Sequence, residues 1–214
     1  MAILMPDERY YLDHKISISS ENPVLVDVGA YKGGFTEEFL RKFPKAHVLA
    51  FEPILKLADD IRRMFYQYDV QVYAFGVGET LKWSNFYEVA RGMECSSIYY
   101  RSNFHGDLHP KPIISLDMLY PTILDHIDYL KIDVEGNELN VLRGAEYLLR
   151  HKRIRYIQFE YGECYPLSGV ELNEVIRMLL PNYKVFHKEY GDVNEDFNLN
   201  DSVVRNFFAE AREN

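Results

Sequence analysis

The chain has 214 residues, of which 47% are hydrophobic and 27% charged, and its 33 acidic residues against 24 Lys and Arg give a formal charge of -9. That is the composition of an ordinary globular protein with one substantial core, and the negative charge opposes a phosphate backbone, so nucleic acid is not an expected partner. No apolar run approaches the ~20 residues a bilayer crossing needs. The opening segment lacks the succession of a secretory signal, and Cys95 and Cys164 have neither metal-ligand spacing nor the number for a disulfide framework; a cytoplasmic protein is expected.

Residues 1–22 read as a polar, Tyr-rich lead-in. Val24 to Gly29 is a short apolar run ending in glycine, the pattern of a buried central strand. Phe35, Phe39, Leu40 and Phe43 then recur at helical spacing before Pro44. His47 to Phe51 is the next strand, Ile54, Leu57, Ala58, Ile61 and Phe65 mark a helix face, and Val70 to Val77 forms a third strand. This β-α-β-α-β succession predicts a parallel sheet with helices on both faces. Lys82 to Val89 alternates like an edge or hairpin strand, and 90–112 follows as a long irregular stretch, of the kind that covers active sites. Order resumes with a strand through Tyr129–Gly136, a helix through Leu139, Leu142, Ala145 and Leu149, a strand from Tyr156 to Tyr161, and a helix from Leu172 to Leu180. Tyr183 to Lys188 and Val203 to Ala209 close the pattern, and without a linker or repeat the whole of 1–214 is expected to form one domain.

Three features carry chemistry. Asp27-Val-Gly29-Ala-Tyr31-Lys-Gly33-Gly34 sits at a strand-to-helix junction, where glycine lets backbone approach a ligand and the helix offers free N–H groups. Gly29 and Gly33 do not have the spacing of a dinucleotide fingerprint, which favours a nucleoside with an amino-acid tail over a pyrophosphate. Glu52 follows about 20 residues later at the end of the second strand, where a carboxylate accepts hydrogen bonds from ribose hydroxyls. Lys131, Asp133 and Glu135 alternate along one otherwise apolar strand and so share a face. Charges there need partners or a task. Lys131, the deepest, is expected to pair with Asp27, and Asp133 and Glu135 to sit at the mouth of a crevice beside the glycine turn.

The segments VLVDVGAYKGGFT (24–36), AFEP (50–53), GVGE (76–79), CSSI (95–98), SLDML (115–119), IDYLKIDVEGNELNVLRGA (127–145) and IQFEYG (157–162) together resemble the FkbM family of class I methyltransferases, from about Val24 to the end of the chain. KIDVEG-x-E is the specific part; the family pattern usually has Ala where this chain has Asn137. The resemblance implies a Rossmann-like α/β fold, with a seven-stranded, mostly parallel sheet of order 3-2-1-4-5-7-6, and S-adenosylmethionine as methyl donor. It also implies O-methylation of hydroxyls on sugars or other natural products, with a small-molecule or glycan acceptor and a place compatible with a larger glycan-synthesis protein or complex. By that resemblance Asp27, Gly29, Tyr31 and Gly33 line the methionine end, Glu52 the ribose and Val77 the adenine, with Ser97 and Asp133 near the reactive centre. Asp133 is the first candidate for proton acceptor and Glu135 the second. His105 in the long loop is a further one, with His109, Arg91, Arg101, Tyr99 and Tyr100 nearby. Glu160 and Tyr161 are expected on the acceptor side, and Asp133, Glu135 and Glu160 are hard oxygen ligands that suit a divalent metal. Two other readings use the same features. An NAD-dependent sugar-nucleotide oxidoreductase or epimerase would also use Glu52 but lacks the glycine fingerprint and a Tyr-x-x-x-Lys pair; a non-catalytic binding module would keep the fold alone.

Overall fold

The computed structural model describes residues 5–89, 95–102, 106–162, 164–197, 199 and 203–213. Its first element is a helix, α1 (Pro6–His14), within the segment that reads as a polar, Tyr-rich lead-in. The start signals are nevertheless there: Pro6 in the first turn, Asp7 and Glu8 beside it, and His14 at the far end, each favoured where it stands by the helix dipole or by its own geometry.

Next come β1 (Val24–Val28), α2 (Gly34–Lys42), β2 (His47–Phe51), α3 (Leu55–Met64) and β3 (Val70–Tyr73). The apolar residues at helical spacing are the ones that become buried: Phe35, Phe39 and Leu40 on α2, Leu57, Ala58 and Ile61 on α3. The expected third strand through Val77 stops at Tyr73; Gly76–Val77 is a separate strand, β4, in another sheet. Lys82 to Val89 likewise divides into β5 (Lys82–Ser84) and β6 (Tyr87–Val89). Nor is 90–112 irregular throughout, since it contains β7 (Gly106–Leu108) and the start of β8 (Lys111–Ile114). These pieces pair as two small sheets, β4-β8-β5 and β6-β7.

The rest of the chain supplies β9 (Ile127–Ile132), α4 (Glu138–Arg143), α5 (Glu146–Arg150), β10 (Ile154–Tyr161), α6 (Tyr165–Ser168), α7 (Leu172–Leu179), β11 (Tyr183–His187), β12 (Gly191–Val193) and β13 (Arg205–Ala211). The single helix expected after β9 is broken at Gly144, where an added Cβ would lie 2.0 Å from the carbonyl oxygen of Gly78. The main sheet runs β12-β11-β13-β10-β9-β1-β2-β3. This is the expected order 3-2-1-4-5-7-6 with one short strand, β12, added beyond it. The pairs from β3 to β10 are parallel and those from β10 to β12 antiparallel.

Strand alternation sends Val26, Val28, Leu130, Ile132, Ile157 and Phe159 to the face under α4, α5 and α7. The other face carries Leu25, Val48, Tyr129, Tyr156 and Phe208 under α1 and α2. That second face is interrupted by a polar row: Asp27, Lys131 and Gln158 are neighbours in register on β1, β9 and β10 and all are buried. The site is built around this row.

Candidate active site

A cavity of about 490 Å³ opens at the carboxyl ends of β1, β2 and β9, within the size range of small-molecule sites. The chain turns sharply after β1. Gly29 has φ +81°, and a Cβ there would lie 1.7 Å from the Asp133 carbonyl oxygen, so only glycine lets the ends of β1 and β9 come this close. Its N–H and that of Ala30 donate to the Phe51 carbonyl at 3.0 and 3.1 Å, which draws the turn against β2. Tyr31, at φ +50°, donates its N–H to Glu52 Oε2 at 2.9 Å, and Ile54 N–H donates to Oε1 at 2.8 Å. Burial pushes the Glu52 carboxyl up to about 7, against the pull of those two N–H groups. Each Glu52 oxygen keeps further acceptor capacity toward the cavity that the residue lines. Val77, Phe75, Phe86, Ile98 and Ile113 form an apolar wall nearby. Asn137 fixes that wall by donating from Nδ2 to the Val77 carbonyl at 3.1 Å.

The opposite end is charged. Lys131 Nζ lies 2.9 Å from Asp133 Oδ2 and 3.8 Å from Glu8 Oε1. Asp27, the expected partner, instead accepts from Thr36 Oγ1 at 2.7 Å. Its charge acts on Lys131 after those of Asp133 and Glu8. Burial works against the charge on Lys131, and the carboxylates of Asp133, Glu8 and Asp27 outweigh it, raising the group above the ordinary lysine value. Glu135 takes a left-handed backbone, φ +57°, so it leaves the strand rather than continuing the alternation. Its carbonyl accepts from Ser97 Oγ at 2.8 Å, and its Oε2 accepts from Arg101 Nη2 at 3.0 Å and Cys164 Sγ at 2.7 Å. Burial and the neighbouring Asp133 charge push it up to about 8. Burial also lifts Glu138 to about 7, although its Oε1 holds the N–H groups of Val134 and Gly136. Glu160 stands well above the usual carboxylate range through burial and the charges of Asp133, Glu135 and Glu138. One oxygen from each of Asp133, Glu135 and Glu160 falls within 4.8 Å of the others, a spacing that suits a shared cation. Two of the three already pair with Lys131 and Arg101.

A glycine turn, a carboxylate one strand away and an acidic end on β9 thus share one cavity. A family model for the methyltransferase FkbM domain matches residues 27–192. The chain belongs to the FkbM family of S-adenosylmethionine-dependent methyltransferases. This FkbM domain is 31% identical over 171 residues to methyltransferase sdnD of Sordaria araneosa, covering 64% of the chain and 66% of that protein. It is 23% identical over 184 residues to the 2-O-methyltransferase NoeI of Sinorhizobium fredii (strain NBRC 101917 / NGR234), covering 78% of the chain and 75% of NoeI. A solved FkbM methyltransferase from Methylobacillus flagellatus KT shares the fold, with a TM-score of 0.62 at 16% identity over 96% of the chain. The FkbM domain spans 48% of that solved chain, and just under two thirds of sdnD.

Of the residues singled out in the sequence, the cavity of this FkbM domain brings together Gly29, Tyr31, Glu52, Val77, Asp133, Glu135 and Glu160. It does not include Asp27, which is buried beneath the turn, or Gly33, which caps α2 with its Cα against the Phe65 ring. Ser97 is also outside the lining; Ser96 and Ile98 take that place, and the Ser97 hydroxyl serves the Glu135 turn instead. Tyr161 packs on Tyr165 with ring centroids 4.3 Å apart. His109 and Tyr100 are exposed and outside the cavity lining, whereas Arg101 is buried against Glu135. His105 and Arg91 lie outside the described residues. The lining also contains Met5, which precedes α1, Glu8 of α1 and Asn137 of the FkbM pattern, none of which the sequence marks as site residues. No helix among the described residues is long and apolar enough to cross a membrane.

Proposed function

We propose that this FkbM domain moves the methyl group of S-adenosylmethionine to a hydroxyl oxygen of a sugar, a deoxyhexose such as rhamnose within a glycan. The observation that carries this reading is the continuity of the cavity from the Glu52 and Val77 end to the Asp133 and Glu160 end. Its size and the close backbone approach at Gly29 suit a nucleoside with an amino-acid tail. The turn at Gly29 to Tyr31 would face that tail, Glu52 the ribose hydroxyls, and Val77 with Ile113 the base. When bound, the donor supplies an electrophilic methyl group on a sulfonium.

The chain's own part is orientation, exclusion of water and proton removal. Asp133 receives the acceptor's hydroxyl proton. Only its Oδ2 is engaged by Lys131, so the second oxygen is available for this task. Glu135 is the weaker candidate, because its carboxyl is occupied by Arg101 and Cys164 and anchors the 95–102 segment. Glu160 lines the cavity without a hydrogen-bond partner for its carboxyl among the described residues, and suits an acceptor hydroxyl. Carboxyl groups accept from neutral polyols and disfavour an anionic acceptor. NoeI, a relative over most of this chain, is a 2-O-methyltransferase.

Mass spectrometry with labelled S-adenosylmethionine and a panel of glycosides, phenols and RNA oligonucleotides tests the assignment. Methylation of a rhamnosyl glycoside is expected; methylation of phenols or RNA with every glycoside untouched refutes the acceptor. Thermal stabilisation by NAD and none by S-adenosylmethionine refutes the donor.

A further inference from the structure

Helix α1 stands outside the stretch matched by the family model, yet Met5 and Glu8 line the same cavity as Asp133 and Glu160. A helix lying on a sheet is expected to meet it with apolar side chains, and Tyr11 and Leu12 do so. Glu8 does not. The residue is 7% exposed, and its carboxyl sits on the polar row formed by Asp27, Lys131 and Gln158. Oε2 accepts the Met5 N–H at 2.8 Å, Oε1 accepts from Gln158 Nε2 at 3.4 Å, and Oε1 lies 3.8 Å from Lys131 Nζ. The Lys131 ammonium is therefore held from several sides: Asp133 on its own strand, Glu8 from α1, Asp27 from β1, and the Phe35 ring of α2 at 5.7 Å. Burying a second carboxylate beside an ammonium that is already paired costs free energy, and burial holds the Glu8 carboxyl above its ordinary range. Capping the helix alone does not require that burial, since a solvent-exposed glutamate at the same helical position closes a capping box equally well.

We propose that Glu8 is a positioning residue for methyl transfer, holding the Lys131 ammonium between itself and Asp133 so that one Asp133 oxygen stays turned to the cavity. Helix α1 is thereby part of the reaction centre. The inference rests on the reading of Asp133 as proton acceptor. Without the Glu8 charge, Lys131 moves fully onto Asp133 and competes with the acceptor for both oxygens. The Glu52 end of the cavity, built by other elements, is left as it was.

Glu8→Gln keeps the shape and an acceptor oxygen while removing the charge. With methyl α-rhamnoside as acceptor, kcat is expected to fall roughly 10- to 100-fold, the scale of a misplaced reacting group, with donor KM nearly unchanged. Glu38→Gln is the structural control: it loosens α1 by removing the Arg9 partner on α2 but leaves Lys131 alone. A fall of the same size in both variants, or none in a folded Glu8→Gln, overturns the proposal. A second readout needs no acceptor: the 15N-detected ammonium signal of Lys131 in the free protein. It should shift and exchange with water at least about tenfold faster in Glu8→Gln, as a group that has lost a partner does, and stay put in Glu38→Gln. Absence of methyl transfer by the wild type would defeat the proposed function, and an unchanged Lys131 signal would separately defeat this one. Should Glu8→Gln fail to fold, Glu8→Asp, which withdraws the charge by one methylene, must move kcat and the Lys131 signal in the same direction; no change in either overturns the assignment.

Discussion

The two ends of the cavity are made in different ways. At the Glu52 end a carboxylate is held by two backbone N–H groups, those of Tyr31 and Ile54, and the walls are glycine turn and apolar side chains. At the Asp133 end, side chains hold one another: Glu8 to Lys131 and Arg101 to Glu135 as charged pairs, with the Cys164 thiol donating to Glu135. One end is fixed by backbone, the other by mutually dependent charges. Substitutions at the first should therefore act locally and on binding, while substitutions at the second should spread to several groups and act on turnover.

The sharpest way to break that contrast is Asp133→Asn. It should lower kcat by about 10²- to 10⁴-fold, the span for removing a general base, with donor affinity by calorimetry nearly unchanged. A variant that loses donor binding to the same extent would show that the two ends are one unit. Gly29→Ala comes next. The positive φ and the collision with the Asp133 carbonyl should destabilise the fold by about 3 kcal/mol, read as a lower urea midpoint with unchanged slope, and it tests whether backbone closeness really fixes the first end. Glu52→Ala should weaken S-adenosylmethionine by ~1–3 kcal/mol, the range for hydrogen bonds to a charged group; unchanged affinity in a folded variant would remove Glu52 from the donor site.

The smallest effect is the pH response of the free protein. Glu52 and Glu138 are raised to about 7 and Glu135 to about 8 from an ordinary 4.5, so the folded chain binds protons that the unfolded chain has released. Stability from these groups is present at low pH and is lost as pH rises from about 4.5 through 8. Between pH 5 and 8 the melting temperature should fall by on the order of 5 °C, and donor affinity should rise over the same window as Glu52 ionises. A melting temperature that climbs with pH would mean that bound cations or rearranged pairs already neutralise the cluster.

Most of the sheet was legible because its strands are short apolar runs and the helices between them carry apolar residues at the right spacing. The same signal misjudged Val70 to Val77 as one strand: alternation tells where a strand can exist, not where the chain changes sheet. In the cavity, Gly29 and Glu52 stand where the sequence pattern expects them, because each sits at the carboxyl end of a strand whose apolar run is plain. Lys131 is recognisable in the sequence as a buried charge, but Asp27, its neighbour in register, attracts it only from beyond ion-pair distance, while Asp133 and Glu8 are the close partners. The competing partner Glu8 lies on a helix that one buried turn of Tyr11 and Leu12 makes hard to distinguish from a polar tail. Ser97, which the resemblance places near the reactive centre, lies just outside the lining; its hydroxyl supports the left-handed turn at Glu135, a conformation that the KIDVEG pattern does not announce.

The docking of α1 joins segments that lie far apart in the sequence. The Tyr11 hydroxyl donates to the carbonyl of Asn206, 195 residues away, and the Asn206 N–H donates to Asp7 at 2.8 Å. Contacts between segments so far apart must close a long loop before they return any stabilisation, so they belong to the slow, late part of folding, after the neighbouring strands have paired. The wall that Met5 and Glu8 give to the cavity therefore depends on β13 being in place. A destabilised β13 would open the cavity from a distance, by releasing α1.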